Sequence, residues 1–394
     1  MCGVLTSAVI GWPEHDQESK NRHPMKIGYI AEPYEEQGAS GMGYVVHESM
    51  RHMLIEGRGP AAAGRGAHTF VFYSHTPISR SFIEGEYENV LIPKGFIRQF
   101  IWFLTHRLQV DVLFFMVPLL PLLVRGKTKT IPICQDLERK DIPVRGLRAK
   151  IVALVGEGLL LPFTFRRAVH IVIPSEATKT AVIAAYRIPE RKFSVIHNGF
   201  QDLTNVQGVS PAASLKPYFF FAGRVKFRKN VHGIVAAFIA FKQRTKAPVK
   251  LVIAGIHGGA YSRELHERLA SAGLTEDAHF LGYVTTEELK GLFENALAYV
   301  FPSLHEGFGM PIIEAMSLGV PVITSSTSPM DEVAGGAALL VEPRDAHAIS
   351  EAMEKVYSDA TVRATLIEKG LAHAKLFSWS RAAREYLALA ATVL

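Results

Sequence analysis

Short apolar runs recur along the chain, separated by longer stretches in which apolar and polar positions mix. Residues 25–31, 68–73, 89–92, 110–115, 130–134 and 170–173 form one series, closed by 192–200, which reads as a last strand with its exit turn. Runs of Val, Ile and Phe without polar alternation suit strands covered on both faces, and the stretches between them are long enough for crossover helices. This alternation predicts a doubly wound parallel sheet. The series then restarts at 218–222, 250–256, 279–284, 296–301, 321–325 and 338–343. Between the two series, residues 201–216 carry Gly208, Pro211 and Ser214 without an apolar period, which marks a linker. The prediction is an α/β chain with an extension at 1–24, two domains at 25–205 and 206–375, and a final helix in 376–394.

The chemistry concentrates where a strand of the second series ends. After the run 296–301 come Glu306, Gly307, Phe308, Gly309, Met310 and Pro311, with Glu314 eight positions beyond Glu306. Gly307 and Gly309 permit a tight turn and close approach of the backbone, and Pro311 suits the first position of a helix. A helix opening there leaves backbone N–H groups after Gly309 available to an anion such as a phosphate. The two carboxylates would repel a phosphate and instead suit the hydroxyls of a ribose or hexose. The strand at 218–222 delivers Gly223, Arg224, Lys226, Arg228 and Lys229. Cations following a glycine at a strand end form an anion site by position and can neutralise a diphosphate, although residues 226 and 228 read as the solvated kind.

Other loops add weaker signals. Gly41 and Gly43 lie in a glycine-dense stretch after the first strand, but the second strand ends in Ser74-His75-Thr76 without the acid a dinucleotide site needs, which argues against NAD. Gln135 and Asp136 follow the strand at 130–134. Gln135 can hydrogen-bond a hydroxyl but cannot take a proton, so its expected task is positioning; Asp136 reads equally as an acceptor-side carboxylate or a helix cap. Ser175 reads as an N-cap.

Composition narrows the setting. At 394 residues, 48% hydrophobic and 20% charged, the chain suits two ordinary globular domains. Cys2 and Cys134 make neither a disulfide framework nor a metal spacing, which points to a reducing, cytoplasmic compartment. Residues 1–24 lack a basic start followed by an apolar core, and the longest apolar run, 112–124, is short and cut by Pro118 and Pro121, so neither a secretory signal nor a membrane span is expected. The net charge of +6 is uneven: residues 94–167 hold thirteen Lys/Arg against five Asp/Glu, interleaved with aromatic and aliphatic side chains. That mixture suits either a helix with an aromatic core side or peripheral contact with an anionic membrane on the inner face. No nucleic-acid motif accompanies it.

The run Glu306 to Ile323, with its E-x7-E spacing, and the run Gly223-Arg224-x4-Lys229-Asn230 resemble retaining glycosyltransferases of family four. The resemblance covers residue 25 to the end and is strongest over 218–345. It implies the GT-B architecture, two Rossmann-like domains facing across a cleft, with the donor held by the second domain and the acceptor mainly by the first. It implies that the final helix packs back on the first domain, and that a hexose passes from a nucleoside diphosphate sugar to a hydroxyl of a glycan or lipid-linked acceptor with retention. Arg224 and Lys229 would hold the diphosphate, Glu306 the transferred sugar and Glu314 the ribose, with backbone at Phe308, Gly309 and Met310 and with Gly41, Gly43 and Gly223 completing the donor site. Glu306, Arg224 and Lys229 would be the catalytic set. Many relatives carry His where this chain has Gln135. The Glu306 run looks like that of bacterial mannosyltransferases of surface polysaccharides, which leans toward GDP-mannose, then UDP-sugars. No Asp-x-Asp sequence offers to capture a divalent metal, and the cations supply the charge a metal would bring, so no cofactor or metal is expected. A nucleotide-sugar epimerase of the same architecture and a non-catalytic relative remain the alternatives.

Overall fold

A computed structural model describes residues 24–32, 41–58, 67–79, 83–117, 124–137, 156–256, 258–327 and 329–394. The extension up to residue 23, the glycine-dense residues 37–40 and the basic residues between 139 and 150 lie outside the described residues.

Two all-parallel sheets organise the chain. The first has the order β3-β2-β1-β4-β5-β6-β7. It is built from β1 (Lys26–Ile30), α1 (Gly41–Glu56), β2 (Thr69–Ser74), β3 (Glu88–Leu91), α2 (Phe96–Thr105), β4 (Val112–Met116), β5 (Lys129–Ile133), α3 (Leu161–Arg167), β6 (Ile171–Ile173), α4 (Glu176–Tyr186) and β7 (Phe193–Val195). The second has the order β10-β9-β8-β11-β12-β13. Its elements are β8 (Tyr218–Ala222), α5 (Val231–Thr245), β9 (Lys250–Ala254), α6 (Gly259–Ser271), β10 (Ala278–Gly282), α7 (Thr286–Glu294), β11 (Ala298–Phe301), α8 (Met310–Ser317), β12 (Val322–Ser325), α9 (Met330–Ala334), β13 (Leu339–Val341), α10 (Ala346–Ser358) and α11 (Ala360–Ala374), followed by α12 (Trp379–Thr392).

The apolar runs are strands because both faces are covered. Phe219, Phe220 and Phe221 are fully buried, and Phe220 meets Phe293 edge-on at 5.1 Å. Burying one such side chain stabilises by roughly 1.5–3 kcal/mol, so three in succession fix β8 at the centre of its sheet. On the first sheet one face packs on α1 and α12, where Tyr386 meets Phe114 at 5.7 Å, and the other holds Phe103 of α2 and Phe165 of α3. α12 thus returns from the second half to cover the first sheet. The connection 201–216 is less solvated than its composition suggests. Leu203 and Ala212 are buried, and the Val209 N–H donates to the Glu287 carbonyl at the start of α7.

In open parallel sheets a ligand crevice opens where the strand order reverses. In the second sheet that point lies between β8 and β11, adjacent strands that lead into the Arg224–Lys229 loop and the Glu306 loop.

Candidate active site

The Glu306 loop forms as its residues require. Gly309 takes φ 109°, a value that L side chains rarely adopt, and as the N-cap of α8 it offers no side chain to cap the helix. Pro311 occupies the second helical position, one later than expected, because Met310 already begins the helix. Gly307 passes so close to the first domain that a Cβ there would lie 1.9 Å from the Gln135 carbonyl oxygen. Its own carbonyl accepts from Ser175 Oγ at 3.1 Å and Thr178 Oγ1 at 3.2 Å. Ser175 does cap α4, accepting from the Thr178 N–H, but it also anchors the opposing domain's loop. The N-cap assignment alone missed that second task.

Glu306 is buried, with 7% of its surface exposed, between two cations. Lys229 Nζ lies 2.6 Å from Oε1 and Arg228 Nη1 3.3 Å from Oε2. The Lys229 ammonium also sits 4.8 Å from the centre of the Phe301 ring. Arg228 corrects the expectation that it is a solvated residue. The turn at Phe227–Lys229 directs its guanidinium inward, where it also reaches Asp136 Oδ2 at 3.5 Å and the His305 carbonyl at 3.4 Å. Lys226 is exposed, as expected. Arg224 is exposed and makes no ion pair among the described residues, leaving its guanidinium available beside Gly223.

Gly223 and Gly255 lie so near each other that a Cβ on Gly255 would meet the Gly223 carbonyl at 2.0 Å. Both take positive φ, 142° and 135°. This brings the ends of β8 and β9 together under the cationic loop.

Glu314 sits on α8, half-buried as a residue while its carboxyl is enclosed by protein. Burial raises it to about 7, opposed by the Gln201 N–H and by the charge of Lys229. Across the cleft, burial and then the charges of Glu48 and Glu314 push the Tyr44 phenol up, which places α1 and its Gly41 and Gly43 opposite α8. Gly41 opens α1, and among the described residues nothing lies within 4 Å of a Cβ built there, whereas Gly43 is buried within the helix. Met310 packs against the cores of both domains, and Phe308 is buried against His197 at 5.8 Å and Phe377 at 5.9 Å.

Because the folded carboxyl at Glu314 titrates near 7, above its ordinary value of 4.5, the protonated form is favoured by folding. Its stabilising contribution is complete below pH 4.5 and is lost as pH rises toward 7. Without ligand, the melting temperature of the parent is expected to fall relative to Glu314→Gln between pH 5 and 8. Parallel curves would contradict an enclosed acid at this position.

Gln135 and Asn198 form a buried reciprocal amide pair, at 3.2 Å and 2.7 Å. Each end of the Gln135 amide thus meets Asn198, which leaves one N–H and one lone pair for a further partner, while its backbone carbonyl lies against Gly307. Asp136 is likewise occupied: Oδ1 lies 2.9 Å from His305 Nε2 and Oδ2 faces Arg228. The residues that follow Leu137, where a helix for Asp136 to cap would begin, lie outside the described residues. A further clasp joins the domains at Glu332 of α9, whose carboxylate accepts from the N–H groups of Glu176 and Ala177 at 2.9 Å and 3.2 Å and lies 3.4 Å from His197 Nε2. Burial pushes this carboxyl up, but His197 and the helix-end N–H groups outweigh it and hold it below the ordinary value. Burial also pushes the Cys134 thiol up to about 12, which leaves it unreactive.

Two parallel sheets joined by a buried, polar cleft with cations and carboxylates at the second sheet's switch point define the GT-B class. Solved structures share the fold over nearly the whole chain. Anabaena Alr3699/HepE, crystallised with UDP and glucose, matches with a TM-score of 0.68 at 16% identity, covering 93% of this chain and 99% of that one. A glycosyltransferase from Rickettsia africae matches with 0.69 at 16% identity, over 94% and 98%.

Residues 205–373 match the family model described as Glycosyl transferases group 1, and the chain resembles that family's bacterial mannosyltransferases. The O-antigen chain mannosyltransferase B of Escherichia coli is 37% identical over 163 residues, 41% of this chain and 42% of that protein. The O-antigen chain mannosyltransferase RfbU of Salmonella typhimurium is 31% identical over 233 residues, 58% and 62% of the two chains. The matched region thus spans from under half to about three-fifths of these relatives.

Proposed function

We propose that the chain is a retaining glycosyltransferase that moves a hexose from a nucleoside diphosphate sugar to a hydroxyl of a glycan or lipid-linked acceptor. The observation that carries this reading is the meeting of Arg228, Lys229 and Glu306 at the β8/β11 switch point, with Arg224 exposed on the same loop and the start of α8 beside it. Negative charge grows on a diphosphate as the bond to the sugar breaks. Fixed cations and helix N–H groups held in a buried cleft stabilise that charge without rearranging. Arg224 and Lys229 hold the diphosphate, with Arg228 beside them. Glu306 accepts from hydroxyls of the transferred sugar, and Glu314 from the ribose. Gly41 and Gly43 bring α1 against the donor from the first domain, whose Gln135 and Asp136 wall the acceptor side. The leaving diphosphate helps deprotonate the acceptor, so no side-chain nucleophile is required.

GDP-mannose is the favoured donor, supported by the O-antigen mannosyltransferases among the relatives, with UDP-sugars next. A thermal-shift panel of GDP- and UDP-sugars tests this, because a specific donor stabilises by mass action. A shift of several degrees with one donor, with release of its nucleoside diphosphate once an acceptor is added, is expected. A donor that binds tightly and is never turned over would point to the non-catalytic relative.

The reaction proceeds without a divalent metal in this reading, since three basic side chains already supply the positive charge. Turnover is expected to stay within twofold of its starting value in excess EDTA, and collapse on chelation would overturn it.

The enzyme works in the cytoplasm, in peripheral contact with the anionic inner face of the membrane. α2 supports this: Ile97 is 70% and Ile101 52% exposed, flanked by Lys94 and Arg98. No helix among the described residues is long and apolar enough to cross a membrane. Ile97→Asp with Ile101→Asp is expected to abolish flotation with anionic vesicles while sparing donor binding.

A further inference from the structure

At the foot of the first sheet, at the strand ends away from the cleft, lies a second concentration of positive charge. A cavity of about 830 Å³ opens among Arg107, Gln109, Asp111, Lys127, Thr128 and Lys129. It adjoins a smaller one of about 130 Å³ that shares Gly126 and Thr128 and is lined by Arg167. The backbone is built to hold these cations close. Arg107 and Arg125 pair as an isolated parallel bridge, and Gly126, at φ 104°, turns the chain so that the Arg107 side chain lies over it. Thr128 Oγ1 donates to the Val110 carbonyl and the Lys129 N–H to the Asp111 carbonyl, which ties the second wall to the first.

Among the described residues, none of Arg107, Arg125, Lys127, Lys129 and Arg167 makes an ion pair. The one acidic side chain in the lining, Asp111, is committed to the Lys26 N–H at 2.7 Å, and Leu394 also lines the cavity. Uncompensated like charges around a concavity repel each other and destabilise the fold, and the same arrangement focuses potential on an entering anion. A solvated basic face would spread its cations and interleave acids. Here Arg107, Lys127 and Lys129 line one hollow and Arg167 the hollow that adjoins it.

We infer that this cavity is a binding site for a phosphate-bearing anion, separate from the cleft and independent of the transfer reaction. Guanidinium and ammonium groups from two walls match a phosphate mono- or diester, whether a lipid headgroup or a soluble diphosphate. α2, with its exposed isoleucines, runs directly into Arg107.

The test uses the full chain carrying Lys127→Glu and Lys129→Glu, beside the parent, Arg224→Ala, and Lys369→Glu with Lys375→Glu, which changes net charge equally at exposed positions elsewhere. Calorimetric titration with inorganic pyrophosphate at low salt is expected to show a binding event weakened at least tenfold by the cavity pair alone. Flotation with phosphatidylglycerol vesicles, against phosphatidylcholine alone, separates the sources. Flotation lost in the cavity pair assigns a headgroup, whereas flotation retained with pyrophosphate binding lost assigns a soluble anion. If pyrophosphate binding and flotation are unchanged in the cavity pair, or fall equally in the control pair, the site is overturned. Donor turnover on a soluble acceptor is expected to be unaltered by the cavity pair, so failure here leaves the transfer reading standing.

Discussion

Lys229→Ala is expected to lower kcat/KM for the donor by about 10²–10³-fold, the usual effect of removing one donor aimed at charge that develops in the transition state. Lys229 meets Glu306 at 2.6 Å and sits on the Phe301 ring, so its ammonium is placed before any ligand arrives. Removing it also leaves Glu306 buried with Arg228 as its remaining cation. An under-paired buried charge costs about 1–3 kcal/mol, enough to lower the melting temperature measurably. Kinetics should separate the two effects, since a diphosphate contact strengthened in the transition state acts on kcat as well as KM. A variant with unchanged melting and kcat within threefold of the parent would remove Lys229 from the chemistry. Glu306→Gln in the same background should cost less than in the parent, because the two side chains act as a pair.

Gly307→Ala is expected to reduce turnover by about 10²-fold or more although no functional group is lost, since a displacement near 1 Å at a reacting centre has that effect. The added methyl would meet the Gln135 carbonyl oxygen at 1.9 Å and its carbon at 2.9 Å, both backbone atoms that cannot swing aside. The domains must part, which stretches the bonds from Ser175 and Thr178 to the Gly307 carbonyl. Overpacking of this kind costs about 1–3 kcal/mol. Far-ultraviolet circular dichroism should stay native because both sheets lie away from the contact. Full activity in the folded variant would show that the close seating of the two domains is not needed.

Much of this architecture was legible in the chain because strands and strand-end loops have local signatures. The runs at 218–222 and 296–301 are apolar without alternation, and the strands Tyr218–Ala222 and Ala298–Phe301 lie adjacent at the sheet's switch point. The pairing of Lys229 with Glu306 follows from two loops leaving neighbouring strands. What escaped were contacts between the halves, which have no period to betray them. His305 and Asp136 are separated by 169 positions, and Arg228 looked solvated because its partners come from both domains. A signal existed in hindsight: loops leaving the carboxyl ends of two facing sheets carry complementary groups, the Asp136 carboxylate on one and the His305 imidazole and Arg228 guanidinium on the other. Glu332 of α9, which closes the start of α4, could not be found this way, since a carboxylate on one helix gives no hint of which distant helix end it closes.

The placement of α12 bears on how the molecule is made. The polypeptide passes between its halves twice, and the passages touch where Gly199 lies against Trp379. The first sheet is complete once Val195 has emerged from the ribosome, yet the face bearing Phe114 awaits Tyr386. At roughly 5–20 residues per second, translation leaves that face bare for tens of seconds. Nascent chains therefore carry an exposed apolar face until α12 is synthesised, and clipping that helix is expected to yield insoluble product even though every cleft residue is retained.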